Sequence, residues 1–317
     1  MHFAELDPVL LRSFGGVLAL LVVASLIGAV LARRARTDAG RATIANMNAR
    51  IRAWWVMAAV VAAALLLGRI AATVLFGLLS VLALREFITI TPTRRGDHAT
   101  LFWSFFVVVP LQYVLVGIEW YGLFSILIPV YAFLFVPIRS AIAGDTERFL
   151  ERTAKIQWGL MVCVYCVSHA PALLMLELPG LSGHGARLLL FLIVVVQISD
   201  VMQYAWGKLL GKHKIAPDVS PNKTWEGFVG GAISATAIGT GLWWLTPYSP
   251  REAALMSLLI VLLGFAGGLT MSAIKRDRGI KDYGSLIEGH GGILDRIDSL
   301  CFAAPVVFHV TRYYFSA

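Results

Sequence analysis

The sequence predicts an all-α polytopic membrane protein of about ten transmembrane helices, with a polar cavity facing the cytoplasm. Three observations carry that prediction. First, 58% of the 317 residues are apolar and only 15% are charged, where soluble domains run at about 45–50% and about 25%. Second, apolar stretches of membrane-crossing length recur along the whole chain. Third, all but five of the 27 lysines and arginines fall on one side if those stretches alternate across a bilayer. The composition excludes disorder, which needs low hydrophobicity. Three cysteines exclude a disulfide scaffold.

The expected spans, in order, are Phe14–Ala32, Trp54–Leu67, Ala71–Leu84, Thr100–Ile118, Tyr121–Ile138, Ile156–Leu176, Leu188–Trp206, Phe228–Leu245, Ala253–Ile274 and Leu300–Phe315. The first follows Glu5 and Asp7 and precedes Arg33, Arg34 and Arg36, a stop-transfer pattern rather than a cleaved signal. The second and third form one run broken at Gly68-Arg69. A single straight helix there would be about 46 Å long against a hydrocarbon core of about 30 Å. Arg33 to Arg52 precede the run and Arg85, Arg94 and Arg95 follow it. Both flanks are cytoplasmic under the positive-inside rule, so a hairpin is expected. The remaining spans then alternate, with both termini outside. The expected division is 1–192, a set of N-terminal helices, and 193–317, a C-terminal region carrying the chemistry.

Three polar clusters gather in that C-terminal region, all on the cytoplasmic side. Asp200 lies in an apolar helix, where an ionised side chain is costly and is expected to face a polar cavity with a cation beside it. Ser220-Pro221-Asn222 is expected to turn, and Thr224 to cap the next helix. Lys223 beside that helix N-terminus makes a cradle for an anion, though a basic loop with a cap would have the same sequence. The third cluster, from Ser272 to Ser299, mixes acids and bases most densely. Asp295 and Asp298 are three apart and share a helical face. Paired carboxylates are hard oxygen ligands of the type that suits Mg²⁺. Cys163 and Cys166 lie within a span and are expected to be packing residues.

These clusters resemble the phosphatidate cytidylyltransferase family, the CDP-diacylglycerol synthases. The family's C-terminal signature is matched by Ser272, Lys275-Arg276, Lys281-Asp282, His290-Gly291-Gly292, Asp295-Arg296 and Asp298. A second family block is matched from Gly211 to Gly227, and Asp200 stands where the family has an intramembrane acid. Many bacterial members carry an Asp four residues before the signature Ser; this chain has Gly268. Glu288 and Gln203 are two further departures.

The resemblance implies a CTP-dependent nucleotidyltransferase of phospholipid synthesis, making CDP-diacylglycerol and pyrophosphate from CTP and phosphatidate. It implies Mg²⁺, with room for a second, monovalent cation, held by Asp200, Asp282, Asp295 and Asp298. Lys223, Asp282, Asp295 and Asp298 are the implied catalytic residues. Lys223, Lys275, Arg276, Lys281 and Arg296 are implied to hold phosphates, with Ser220, Thr224 and His290 as polar contacts. The expected setting is a bacterial inner membrane with the site facing the cytoplasm. The expected partners are CTP, a lipid phosphate and membrane lipids, with a homodimer allowed and no nucleic acid. Three alternatives stay open: a paralogue using another lipid phosphate, a non-catalytic partner subunit, and a lipid transporter.

Overall fold

The computed structural model describes residues 7–34, 37–178, 185–286 and 291–316. Ten long helices run through them: α1 Pro8–Arg34, α2 Asp38–Leu66, α3 Arg69–Thr89, α4 Arg95–Gly117, α5 Tyr121–Ile142, α6 Phe149–Met175, α7 Gly185–Leu210, α8 Trp225–Gly241, α9 Pro250–Asp277 and α10 Leu294–Phe315. The break expected at Gly68 is present: this residue has φ 97°, a left-handed value that suits glycine, and it caps α3. The second span is longer than expected, because α2 starts sixteen residues before Trp54 and carries Arg41, Arg50 and Arg52 along its first half. Inside α4 and α5 the helix widens into π turns at Ser104–Val108 and Leu127–Ala132. The first adjoins Pro110 and the second contains Pro129, and each proline removes one helical donor.

Eight of the ten helices are long and apolar enough to cross a membrane, against about ten expected. The other two are α8, with 17 residues, and α10, whose first turns carry Asp295, Arg296 and Asp298. Polar contacts between helix ends nevertheless sort the chain into two ends. At one end Arg187 binds Asp7 at 2.5 and 2.6 Å, Arg69 pairs with Glu119, and Ser316 donates to the carbonyl of Glu177 at 3.1 Å. At the other, Arg152 binds Asp97 at 3.0 Å, Arg94 binds Asp145 at 2.9 Å, and Lys275 binds Asp295 at 2.8 Å. Helices α3, α4, α5, α6 and α10 each have a residue of one group at or just beyond one end and a residue of the other group at or just beyond the opposite end. This is the alternation that the basic residues predict.

The core lies around α6, the most buried span, whereas α1 and α2 are the least buried. Some polar groups inside the bundle are paired between elements, which lowers the cost of burying them. Examples are Ser80 with the Tyr113 hydroxyl at 2.5 Å and Tyr248 with Thr311 at 2.5 Å. Helices α7 and α8 pack closely. A Cβ on Gly231 would sit 2.4 Å from Gln203 Cγ, so only glycine permits this approach.

Between α7 and α8 the chain forms an antiparallel hairpin, β1 Lys214–Ala216 and β2 Ser220–Thr224. Ser220-Pro221-Asn222 is therefore strand, not the expected turn. The turn is made by Pro217, Asp218 and Val219, the first two of which are common turn residues.

Candidate functional site

Three elements converge at the end of the bundle that bears the basic residues. These are α7 with Asp200, the hairpin with Lys223, and the junction of α9 with α10. Thr224 caps α8 as expected, its hydroxyl accepting from the Gly227 amide at 3.1 Å. That cap fixes the end of β2, and Lys223 points from it into the bundle. Its Nζ lies 4.5 Å from the centre of the Phe265 ring on α9. A Cβ on Gly268 would lie 3.0 Å from Lys223 Nζ, 3.7 Å from Ser299 Oγ and 3.8 Å from Asp298 Oδ2. Gly268 thus stands at the centre of the cluster, and the ammonium of Lys223 uses the space its missing side chain leaves.

Ser299 joins the two acids. Its hydroxyl reaches both oxygens of Asp200, at 3.3 and 3.2 Å, and its amide donates to Asp298 Oδ1 at 2.8 Å. Among the described residues Asp298 Oδ2 receives no hydrogen bond. Asp200 is exposed despite its place in an apolar helix. Burial pushes the Lys223 amine below the usual lysine range, and the charges of Asp200 and Asp298 pull it back up. Arg296 lies close enough to act electrostatically on both acids, and its buried Nε has no partner among the described residues.

Asp295 is placed differently. Both acids lie three residues apart on α10, and the partners of the Asp295 carboxylate differ from those of Asp298. Asp295 is buried; its Oδ1 accepts from Lys275 at 2.8 Å, and its Oδ2 accepts from the amides of Tyr283 and Gly292 at 2.8 and 3.0 Å. These bonds pin the loop before α10 to α9. Lys275 is thereby bound to a carboxylate. Arg276 is likewise engaged, through the carbonyls of Val219 at 3.2 Å and Ile280 at 3.0 Å, so it ties the hairpin to the end of α9. Lys281 and Asp282 are exposed, and Ser220 is half-buried in β2. His290 and Glu288 lie outside the described residues.

Sequence reasoning missed two residues. Ser299 ends the third polar cluster and was given no role, although a hydroxyl one position after Asp298 is well placed to bridge acids. Glu86, at the end of α3, accepts from the amides of Ile293 and Leu294 at 3.0 and 2.9 Å. A lone acid at the end of a basic-flanked span was its only signal.

A donor set of carboxylate oxygens, one without a hydrogen bond, fits a hard divalent cation such as Mg²⁺. Such an ion takes one or two carboxylates and leaves the rest of its shell to substrate and water. No group of three or more acid, histidine or cysteine ligands converges among the described residues. A separate cleft of about 460 Å³, lined by Tyr121, His309, Arg312, Tyr313 and Ser316, lies at the other end of the bundle.

The sequence model of the Cytidylyltransferase family matches residues 48–314. The chain is 40% identical over 305 residues to the uncharacterized protein YnbB of Escherichia coli (strain K12), covering 95% of this chain and 98% of that protein. It is 37% identical over 127 residues to the phosphatidate cytidylyltransferase of Staphylococcus aureus (strain COL), covering 39% of this chain and 49% of that one. The enzyme of the same name from Mycobacterium leprae (strain TN) is 42% identical over 125 residues, covering 39% and 40%.

Proposed function

The chain belongs to the cytidylyltransferase family, and from that premise we propose that it transfers the cytidylyl group of CTP to a lipid phosphate, phosphatidate or a close relative, releasing pyrophosphate. The observation that carries this reading is the meeting of Asp200, Lys223, Asp298 and Arg296 at one end of a membrane bundle. A lipid enters such a recess from the bilayer and a nucleotide from the cytoplasm. The basic residues gathered at this end favour the cytoplasmic side of a bacterial inner membrane.

In the reaction, an oxygen of the lipid phosphate attacks the α-phosphorus of CTP. A new P–O bond forms as the bond to the β-phosphate oxygen breaks, and pyrophosphate leaves with the electron pair. The nucleophile is already an anion, so no general base is required. The difficulty is bringing two polyanions together, and positioning and charge neutralisation overcome it. Lys223, held over Phe265 and beside Gly268, supplies a half-buried positive charge for the reacting phosphates. Arg296 offers its unpartnered Nε to an anionic oxygen. Asp200 and Asp298 would hold Mg²⁺, which when bound neutralises phosphate charge. Asp295 and Lys275 act on each other and keep the loop before α10 in place.

The test is release of pyrophosphate from CTP by the purified full chain with phosphatidate in mixed micelles. Formation of a cytidine-containing lipid at the same rate supports the proposal. Movement of lipid between leaflets without CTP consumption would point to a transporter instead.

A further inference from the structure

We propose that Glu86 is a positioning residue for this site: its carboxylate clamps the first turn of α10 and so fixes where Asp298 and Ser299 stand. The proposal goes beyond the transfer reaction, although its activity arm rests on that reading.

The geometry is specific. Glu86 belongs to α3, in the half of the chain that carries none of the signature residues. Its Oε1 accepts from the Ile293 amide at 3.0 Å and its Oε2 from the Leu294 amide at 2.9 Å. Those amides open α10, and the first-turn amides of a helix have no partner within it. A carboxylate there also meets the positive end of the helix dipole. The loop is shaped to admit it. A Cβ on Gly292 would lie 2.3 Å from Oε2, and one on Gly284 would lie 2.8 Å from Oε1. Both glycines therefore face the Glu86 carboxylate, and neither could carry a side chain while it is in place. No lysine or arginine pairs with Glu86 among the described residues.

What the clamp fixes is the start of the helix that carries the acids. Asp295 lies one residue past Leu294, and its Oδ2 binds the Gly292 amide, the position next to the clamped Ile293. Asp298 and Ser299 follow within the next turn. Without Glu86, two buried amides lose their acceptor and the first turn of α10 is free to shift. A shift of about 1 Å at a reacting centre costs on the order of 100-fold in rate.

The experiment uses the full chain in detergent. Glu86→Ala and Glu86→Gln are measured for kcat, for the CTP KM and for the Mg²⁺ concentration giving half-maximal rate. Glu86→Ala is expected to lower kcat at least about 10-fold and to raise the Mg²⁺ requirement, while the CTP KM changes less than about threefold. Glu86→Gln keeps one acceptor and is expected to recover part of kcat. A purely structural cap would change the amount of folded protein and leave both constants per folded molecule untouched, which would overturn the proposal.

A second arm is independent of activity. Gly292→Ala is introduced into the wild-type chain and into Glu86→Ala, and thermal unfolding is followed in all four proteins. The methyl collides with Glu86 only while Glu86 is present, so Gly292→Ala is expected to be much less damaging in the Glu86→Ala background. Equal damage in both backgrounds would overturn the clamp. A wild-type chain that releases no pyrophosphate would defeat the transfer reading while leaving this arm to decide the clamp.

Discussion

In the proposed transfer reaction Lys223 would serve the site without serving the fold. Its backbone belongs to a short hairpin and its ammonium reaches across to Phe265 and Gly268. Lys223→Ala is expected to lower turnover at least about 100-fold, about 2.7 kcal/mol of transition-state stabilisation. Its melting temperature should stay within a few degrees of wild type. The two signature acids separate by the same comparison. Asp298→Asn should lose turnover to a similar extent with normal folding, because its Oδ2 has no donor within the protein to lose. Asp295→Asn removes the partner of Lys275 in a buried pair, a change that costs about 3–5 kcal/mol. It should therefore appear first as lost thermal stability and lost folded yield. Spacing alone put the two acids on one face. It could not show that Asp295 is consumed by Lys275, Tyr283 and Gly292, because those partners come from another helix and from a loop amide.

At the scale of elements, the legible features were those written in local chemistry. Thr224 was identifiable as a cap because a short hydroxyl before an apolar run satisfies a free amide. Gly68 was identifiable as a break because the run on either side is too long for one span. The hairpin was not legible, since Ser220-Pro221-Asn222 has the composition of a turn, yet this segment pairs as a strand with Lys214 to Ala216. The closeness of α7 and α8 was not legible either, as it depends on which glycines face which side chains. Gly231→Leu should wedge these helices apart and cost about 1–3 kcal/mol or more, read as a fall in melting temperature with Asp200 displaced. Gly241→Leu, at a position with nothing within 4 Å, should leave stability unchanged.

For the whole molecule, the apolar runs and the asymmetry of basic residues were enough to order the crossings, because both obey a bilayer rather than a particular packing. The contacts Asp7–Arg187 and Arg152–Asp97 agree with that order at opposite ends. The side that faces the cytoplasm is open to a direct measurement. Single cysteines replacing Arg94 or Arg278 should be protected from an impermeant thiol reagent in intact cells, and one replacing Glu119 should be labelled. Labelling at Arg278 from outside would reverse the orientation and remove the site from its nucleotide. The reach of the Glu86 contact has a consequence for biosynthesis. Ile293 lies 207 residues after Glu86 along the chain. At translation rates of about 5–20 residues per second, Glu86 waits roughly 10–40 s in the membrane before its partner has been made. Until then the nascent chain holds most of its helices and no assembled site, so a ribosome that stalls before the tenth helix leaves an inert bundle rather than a half-working transferase.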